Sequence, residues 1–393
     1  MKHFATAAAS LAFLTGCISV HVYEESVGIG EWSDREDWRE AERGILANHV
    51  QLTFPDRFVK AGEAYVSPGG AQIIFQAIEI PTEGEAADEF YAMFVADIAV
   101  GDRGRPTGLA NVRKISPPGS ANTCGWFHPQ DPDRVLFAST IGPPTESHPP
   151  GYQRSTGRYR WMFPPQMTIV TCHLPTAEAS ISDLVELVGN EGAYLAEGTW
   201  SPDGRHLLYC SLQSNEGDLF VLDTASATPR PRRIVSAGGY DGGPFFSPDG
   251  RRICYRSDRR GDHRLQLYVA DLAFDQAGSI VGIEREYQLT DNEHVNWCPF
   301  WHPGGRHLVY ATSEIGHDNY EVFLIDADPG TLDGAGGSIK YGTRKRRVTY
   351  ASRSDVLPAF DSDGSRMVWS SRRGADGSVQ LWVADFVMDL DAR

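Results

Sequence analysis

The chain has no Cys-x-x-Cys pair, no His-Glu-x-x-His helix, no Gly-x-Ser-x-Gly elbow and no glycine-rich phosphate loop. These absences remove, in turn, the commonest zinc and dithiol sites, the zinc peptidases, the α/β-hydrolase nucleophile and the P-loop NTPases. A basic surplus is missing too: 36 Lys and Arg stand against 52 Asp and Glu, a net charge of −16. Phosphate binding needs a basic face, so nucleic acid is not expected as a partner. The local runs Arg230–Arg233 and Arg344–Arg347 fall between strand groups and read as solvated loops. The N-terminal apolar run, Phe4 to Leu14, is too short to span a bilayer as a helix.

What the chain does have is one phrase written several times. Phe246-Ser247-Pro248-Asp249-Gly250 closes an apolar run with an aromatic residue and then a tight turn. Proline presets φ at the second turn position, aspartate suits the third, and glycine takes the positive φ that follows. Strand-like residues resume at Arg252-Ile253-Cys254-Tyr255, so each phrase predicts a β-hairpin. A third strand ends in aspartate, at Asp223, Asp271, Asp326 and Asp385. A fourth, short strand follows, as in Arg232–Val235, Tyr287–Thr290 and Arg347–Thr349. With two degraded copies the serine position falls at 67, 128, 201, 247, 302 and 361. Six four-stranded units at such a period predict an all-β, six-bladed propeller, whose blades bury their faces against one another. The aromatic content of 11% and apolar fraction of 41% suffice for that core. His49–Phe54 matches the fourth-strand pattern, and nothing after Asp385 does. Residues 49–54 are therefore expected to supply the outer strand of the last blade and close the ring.

The Ser-Pro-Asp-Gly hairpin with its following hydrophobic strand resembles the TolB-type, WD-like propeller repeat, over about residues 50–388. In that family an α/β domain precedes a six-bladed propeller that binds a peptidoglycan-associated lipoprotein. Here the resemblance covers the propeller alone, because only residues 18–48 separate Cys17 from the first strand. Some TolB-like propellers are lyases that use channel histidines and a metal. The histidines of this chain at 128, 206, 302 and 307 sit in or beside hairpin turns and read as turn-capping groups, so no catalytic residue, metal or cofactor is assigned.

The N-terminus places Lys2 before the apolar run and ends it with Leu14-Thr15-Gly16-Cys17, which resembles a bacterial lipobox. The domain reading is a lipoprotein signal peptide over 1–16, a lipidated tether over 17–48 with a short helix at 34–46, and the propeller over 49–393. Acylation of Cys17 would anchor the chain to a membrane, and Ile18 and Ser19 favour the outer membrane, facing the periplasm. The remaining cysteines, 124, 172, 210, 254 and 298, read as buried small hydrophobes.

Two candidate surfaces remain. Aligned on the turns, the innermost strands give a polar column that includes Asn122, Asp241, Asn296 and Asp355, and two residues later a second that includes Glu63 and Glu197. Side chains two apart share a strand face, so both rings are expected to line one mouth of the channel, unless the Asn and Asp side chains instead cap the loops that enter those strands. The second surface is the proline-rich insertion at 141–166, with Tyr159, Trp161 and Phe163 as adhesive residues. The function expected is that of a monomeric, non-enzymatic envelope lipoprotein that binds a protein or peptide. The alternative is a propeller lyase or hydrolase acting on a polysaccharide or peptide.

Overall fold

The computed structural model describes residues 38–145, 164–174, 184–189, 192–214, 216–327 and 344–390, and the backbone of 151–153 and 158–160. Six four-stranded antiparallel sheets, successive along the chain, form the six blades. Their innermost strands are Phe58–Val66, Asn122–His128, Leu195–Trp200, Asp241–Phe246, Asn296–Trp301 and Asp355–Phe360. Each runs from a loop side of the ring to a turn side, where the repeated hairpin turns gather.

The turns fold as their residues dictate. Gly250 N–H donates to Ser247 O (2.8 Å) and has φ +68°, and Ser247 Oγ accepts from Arg252 N–H (2.9 Å). Asp249 carboxylate accepts from Ser247 Oγ and Arg251 N–H. The core between blades follows from one second-strand position, which holds Phe75, Phe137, Tyr209, Tyr255, Tyr310 and Trp369, all essentially inaccessible to solvent. Five of the six face a third-strand aromatic across the sheet: Phe94, Phe220, Tyr268, Phe323 and Trp382.

The ring closes through the N-terminal side of the chain. Strand Leu46–Gln51 pairs antiparallel with Gln380–Phe386, with Leu46 opposite Phe386 and Gln51 opposite Trp382, and Leu52 N–H reaches Leu381 O at 2.8 Å. The strand starts three residues before the expected 49 and ends at Gln51, with Leu52 and Thr53 still bonded to Leu381. Of the helix expected over 34–46, residues 34–37 lie outside the described residues, and among the described ones Trp38–Ala41 are helical. Glu42–Ile45 turn, and Leu46 is already strand. Tertiary packing of Trp38 against His49 and Trp382 fixes this turn where local propensity pointed to continued helix.

Candidate functional site

Every innermost strand carries a β-bulge at the same place. The pairing register shifts after Gly62, Thr123, Ala196, Gly242, Trp297 and Val356. The next residue is left-handed each time: Glu63, Cys124, Glu197, Gly243, Cys298 and Leu357, with φ between +37° and +59°. Five of these six are not glycine, so the same strained backbone is imposed six times around the axis. The bulge redirects the side chain into an axial cavity of about 40 Å³, enough for two or three waters.

The bulge corrects the expectation that the two polar columns share a face. Glu63 and Glu197 line the axial cavity. Asn122, Asp241, Asn296 and Asp355 do not, and are at most 1% exposed. Their polar atoms serve the loop side of the fold. Asn122 Nδ2 donates to Tyr91 O (3.0 Å) and Ser120 O (2.9 Å), and Asp241 Oδ2 accepts from Ala237 N–H (2.9 Å). Asn296 Nδ2 donates to Asn292 Oδ1 (2.9 Å), and Asp355 accepts from Trp369 Nε1 (3.0 Å) and Arg373 Nη2 (2.8 Å). Burial raises the pKa of Asp241 and of Asp355.

The two glutamates of the cavity have different company. Glu197 accepts from Tyr240 OH (2.8 and 2.9 Å), from Gly243 N–H (2.7 Å) and from Arg256. Arg256 belongs to the second strand of blade 4 and enters beside Gly243, where a Cβ would stand 2.0 Å from its Nη1. Glu63 meets Tyr65 OH (3.2 Å), Thr123 Oγ1 (3.4 Å) and Cys124 Sγ (3.7 Å). Burial and the nearby Glu197 carboxylate push its pKa up. Burial and Glu63 together push the Cys124 thiol well up, so it is not a ready nucleophile. All five described cysteines are free thiols.

Toward the turn side the cavity is stopped by aromatics. Two residues past each bulge stand Tyr65, Trp126, Thr199, Phe245, Phe300 and Ala359. Trp126, Phe245 and Phe300 meet pairwise at 5.1–6.1 Å between centroids, and Tyr65 stacks on Phe300 at 5.9 Å. This floor opens on the turn side into a bowl of about 230 Å³. Its rim is the second turn residue of each hairpin: Pro68, Pro129, Pro202, Pro248, Pro303 and Ser362. Reading the sequence for polar columns missed the bowl. The available signal was the aromatic residue placed just before each turn proline, as in Trp126-Phe127 and Phe300-Trp301.

The turn histidines stay outside the axial cavity. His128 Nδ1 accepts from Gln130 N–H (3.3 Å), and His302 Nδ1 accepts from Gly304 N–H (3.0 Å). Among the described residues no three His, Cys, Asp or Glu side chains converge as a metal site would require. Of the insertion, Gly151–Gln153 and Arg158–Arg160 form a two-stranded ribbon with Tyr159 opposite Tyr152. Trp161, Phe163 and Cys17 lie outside the described residues.

No family model matches the chain. Similar curated proteins include an uncharacterised protein of Agrobacterium fabrum, 28% identical over 39% of this chain and 56% of its own length. An uncharacterised peptidase of Bacillus subtilis is 25% identical over 44% of this chain and 28% of its own. The Tol-Pal system protein TolB of Francisella tularensis is 30% identical over 20% of this chain and 18% of its own. The match therefore spans little more than half of the first relative and under a third of the other two. Among solved structures, TolB of Acinetobacter baumannii superposes over 81% of this chain and 64% of its own, at 16% identity and a TM-score of 0.48. The chain's own six sheets make it a six-bladed β-propeller, and it resembles the TolB-like propellers.

Proposed function

We propose that this chain is a non-enzymatic binding module of the bacterial cell envelope: a monomeric propeller tethered through lipid on Cys17, facing the periplasm from the outer membrane, that scaffolds a protein or peptide. The observation that carries the reading is the division of the axis. The polar cavity is small and its acids are hydrogen bonded, whereas the turn-side bowl is broad and lined by aromatic rings and prolines. Bowls of this composition suit partner side chains better than bond-breaking chemistry, which needs positioned acid–base or nucleophilic groups. The TolB relative is named as a protein of the Tol-Pal system, which supports the same reading. The alternative, an enzyme acting on a peptide or polysaccharide, draws support from the peptidase relative.

Crosslinking in intact envelopes, followed by purification of the chain, tests the proposal. One or a few proteins enriched in stoichiometric amounts are expected. A clean purification with a stoichiometric transition metal and no crosslinked protein overturns it in favour of the enzyme. Fractionating a Cys17→Ser strain tests the tether: the folded chain should move from the membrane pellet to the soluble periplasm. Retention in the pellet would refute lipid anchoring at Cys17.

A further inference from the structure

The bowl on the turn side combines three features. Its floor presents the half-buried rings of Trp126, Phe245 and Phe300. Its rim is methylene-rich, because five of six turns place proline there. Among the described residues that line it, Asp361 alone is ionisable. Asp361 replaces the serine of the repeat, and its oxygens accept from Arg366 N–H (3.0 Å) and Ser365 Oγ (3.1 Å).

The charged residues of the surrounding turns differ in how they are engaged. Asp203, Asp249 and Asp363 sit exposed one residue beyond the rim. Arginines of those turns are held by partners within the fold. Arg205 forks onto Asp223 at the end of the third strand (3.1 and 2.7 Å). Arg252 donates to Ala327 O and Gly305 O in the next blade, and Arg366 donates to Gly104 O. Arg251 follows Gly250 in the place that Arg205 holds after Gly204. Asp203, Asp249 and Asp363 thus stay exposed beside the rim while Arg205, Arg252 and Arg366 are engaged within the fold, Arg252 lying 4.9 Å over the bowl-lining ring of Trp301, on a chain whose net charge is −16.

We infer that the bowl receives an arginine or lysine side chain presented, between apolar neighbours, on a loop of a partner protein. The alkyl stem lies against the prolines, the cationic head lies over the aromatic floor, and Asp361 supplies the counter-charge. An aromatic floor beside one carboxylate favours a cation with an apolar stem over a bare metal ion or an acidic peptide. This inference rests on the reading of the chain as a binding module and assigns the binding to one face.

The test uses the purified full chain and a fluorescein-labelled probe peptide, Gly-Ser-Leu-Arg-Leu-Ser-Gly, read by anisotropy. Replacing the arginine by citrulline keeps the shape and removes the charge, and should weaken binding by about tenfold. Asp361→Asn should weaken the arginine probe several-fold and leave the citrulline probe unchanged. Ser362 is exposed on the rim, so Ser362→Trp should keep the melting temperature and abolish binding by filling the bowl. Ser362→Lys should weaken the arginine probe by like charge. Equal affinity for the two probes, no measurable binding of either, or full binding by folded Ser362→Trp would each overturn the inference. Envelope crosslinking with Ser362→Trp separates the two levels. Crosslinks that persist while the probe is lost put the native partner elsewhere and leave the binding-module reading intact. Probe binding without any envelope crosslink leaves the bowl and removes that reading.

Discussion

In blade 4, Arg259 follows the second strand and reaches Asp241 at the start of the innermost strand (3.4 Å) and Glu286 on the outer strand of its own blade. In blade 6 the equivalent Arg373 reaches Asp355 (2.8 Å) and forks onto Glu42 (3.0 and 3.0 Å). Both arginines donate Nε to the same serine, Ser257 or Ser371, at 3.0 Å. The difference lies in where the outer acid comes from and how wet it is. Glu286 and Arg259 keep 26% and 23% side-chain exposure, whereas Glu42 and Arg373 keep none; the inner acid, Asp241 or Asp355, is fully buried in both. Glu42 comes from the far end of the sequence. It also accepts from Tyr350 N–H (2.8 Å) and lies 2.7 Å from His49 Nε2, and Arg373 lies 4.2 Å over Trp38 and 4.8 Å over Trp369. A blade whose strands are consecutive can leave this latch half solvated. The blade closed by a distant segment buries it completely, where each lost partner strands a charge.

The comparison breaks most visibly at Glu42. Glu42→Ala leaves Arg373 buried with one acid and should cost about 3–5 kcal/mol, measured by urea unfolding. A loss under 1 kcal/mol would mean that the seam does not depend on the latch. Its pH dependence has a defined sign. Burial pushes the Glu42 pKa up, but His49, Arg373 and the Tyr350 amide outweigh it and the net direction is down. The folded value therefore lies below the unfolded one. This group's contribution is present above the ordinary carboxylate range and fades as pH falls through the folded value.

The axial cavity repeats the contrast on a smaller scale. On the continuous side of the ring, Glu197 is met by Arg256 through the gap at Gly243. Gly243→Ala puts a methyl 2.0 Å from Arg256 Nη1 at φ +59° and should cost about 2–3 kcal/mol. Thermal unfolding of the variant checks this, and an unchanged melting temperature would show that Arg256 can leave the cavity freely. Glu286→Ala, the solvated counterpart of Glu42→Ala, should cost only about 1 kcal/mol or less. Equal losses for the two variants would erase the distinction between blades 4 and 6.

Much of this ring was legible before its structure. Ser-Pro-Asp-Gly encodes turn geometry residue by residue, and the closing strand announced itself because His49–Phe54 repeats a pattern missing after Asp385. The bulge was not legible. Its left-handed residues are Glu63, Cys124, Glu197, Cys298 and Leu357 as well as Gly243, and none of the five carries a local preference for positive φ. The conformation is imposed by six inner strands crowding one axis, so a two-residue periodicity applied across it put Asp241 and Glu63 in the wrong relation. The inner acids of the latch, Asp241 and Asp355, were visible in a column of Asn and Asp, but the outer acids Glu286 and Glu42 were not. Nor were their arginines, because the contact from Arg373 to Glu42 spans nearly the whole chain.

Glu63 gives the smallest and most specific contrast. It shares the bulge position with Glu197 but sits beside the closing blade, where its amide donates to Ser370 Oγ (3.2 Å); Arg256 hydrogen bonds Glu197 across the cavity and acts on Glu63 only through space. Burial and the Glu197 carboxylate raise its pKa, so the folded chain takes up its proton more readily than the unfolded chain does. The sign is opposite to that of Glu42: the penalty is absent at acid pH, grows as pH rises through the unfolded value, and is complete above the folded one. Glu63→Gln keeps a carbonyl for Tyr65 OH and removes the charge. It should raise the melting temperature at pH 8 by about 1–2 °C, roughly 0.5 kcal/mol, and the gain should vanish toward pH 4. A gain that persists unchanged at pH 4 would trace to packing. A loss at pH 8 would show that Arg256 stabilises ionised Glu63 by more than burial and Glu197 oppose it, which would erase its contrast with Glu197.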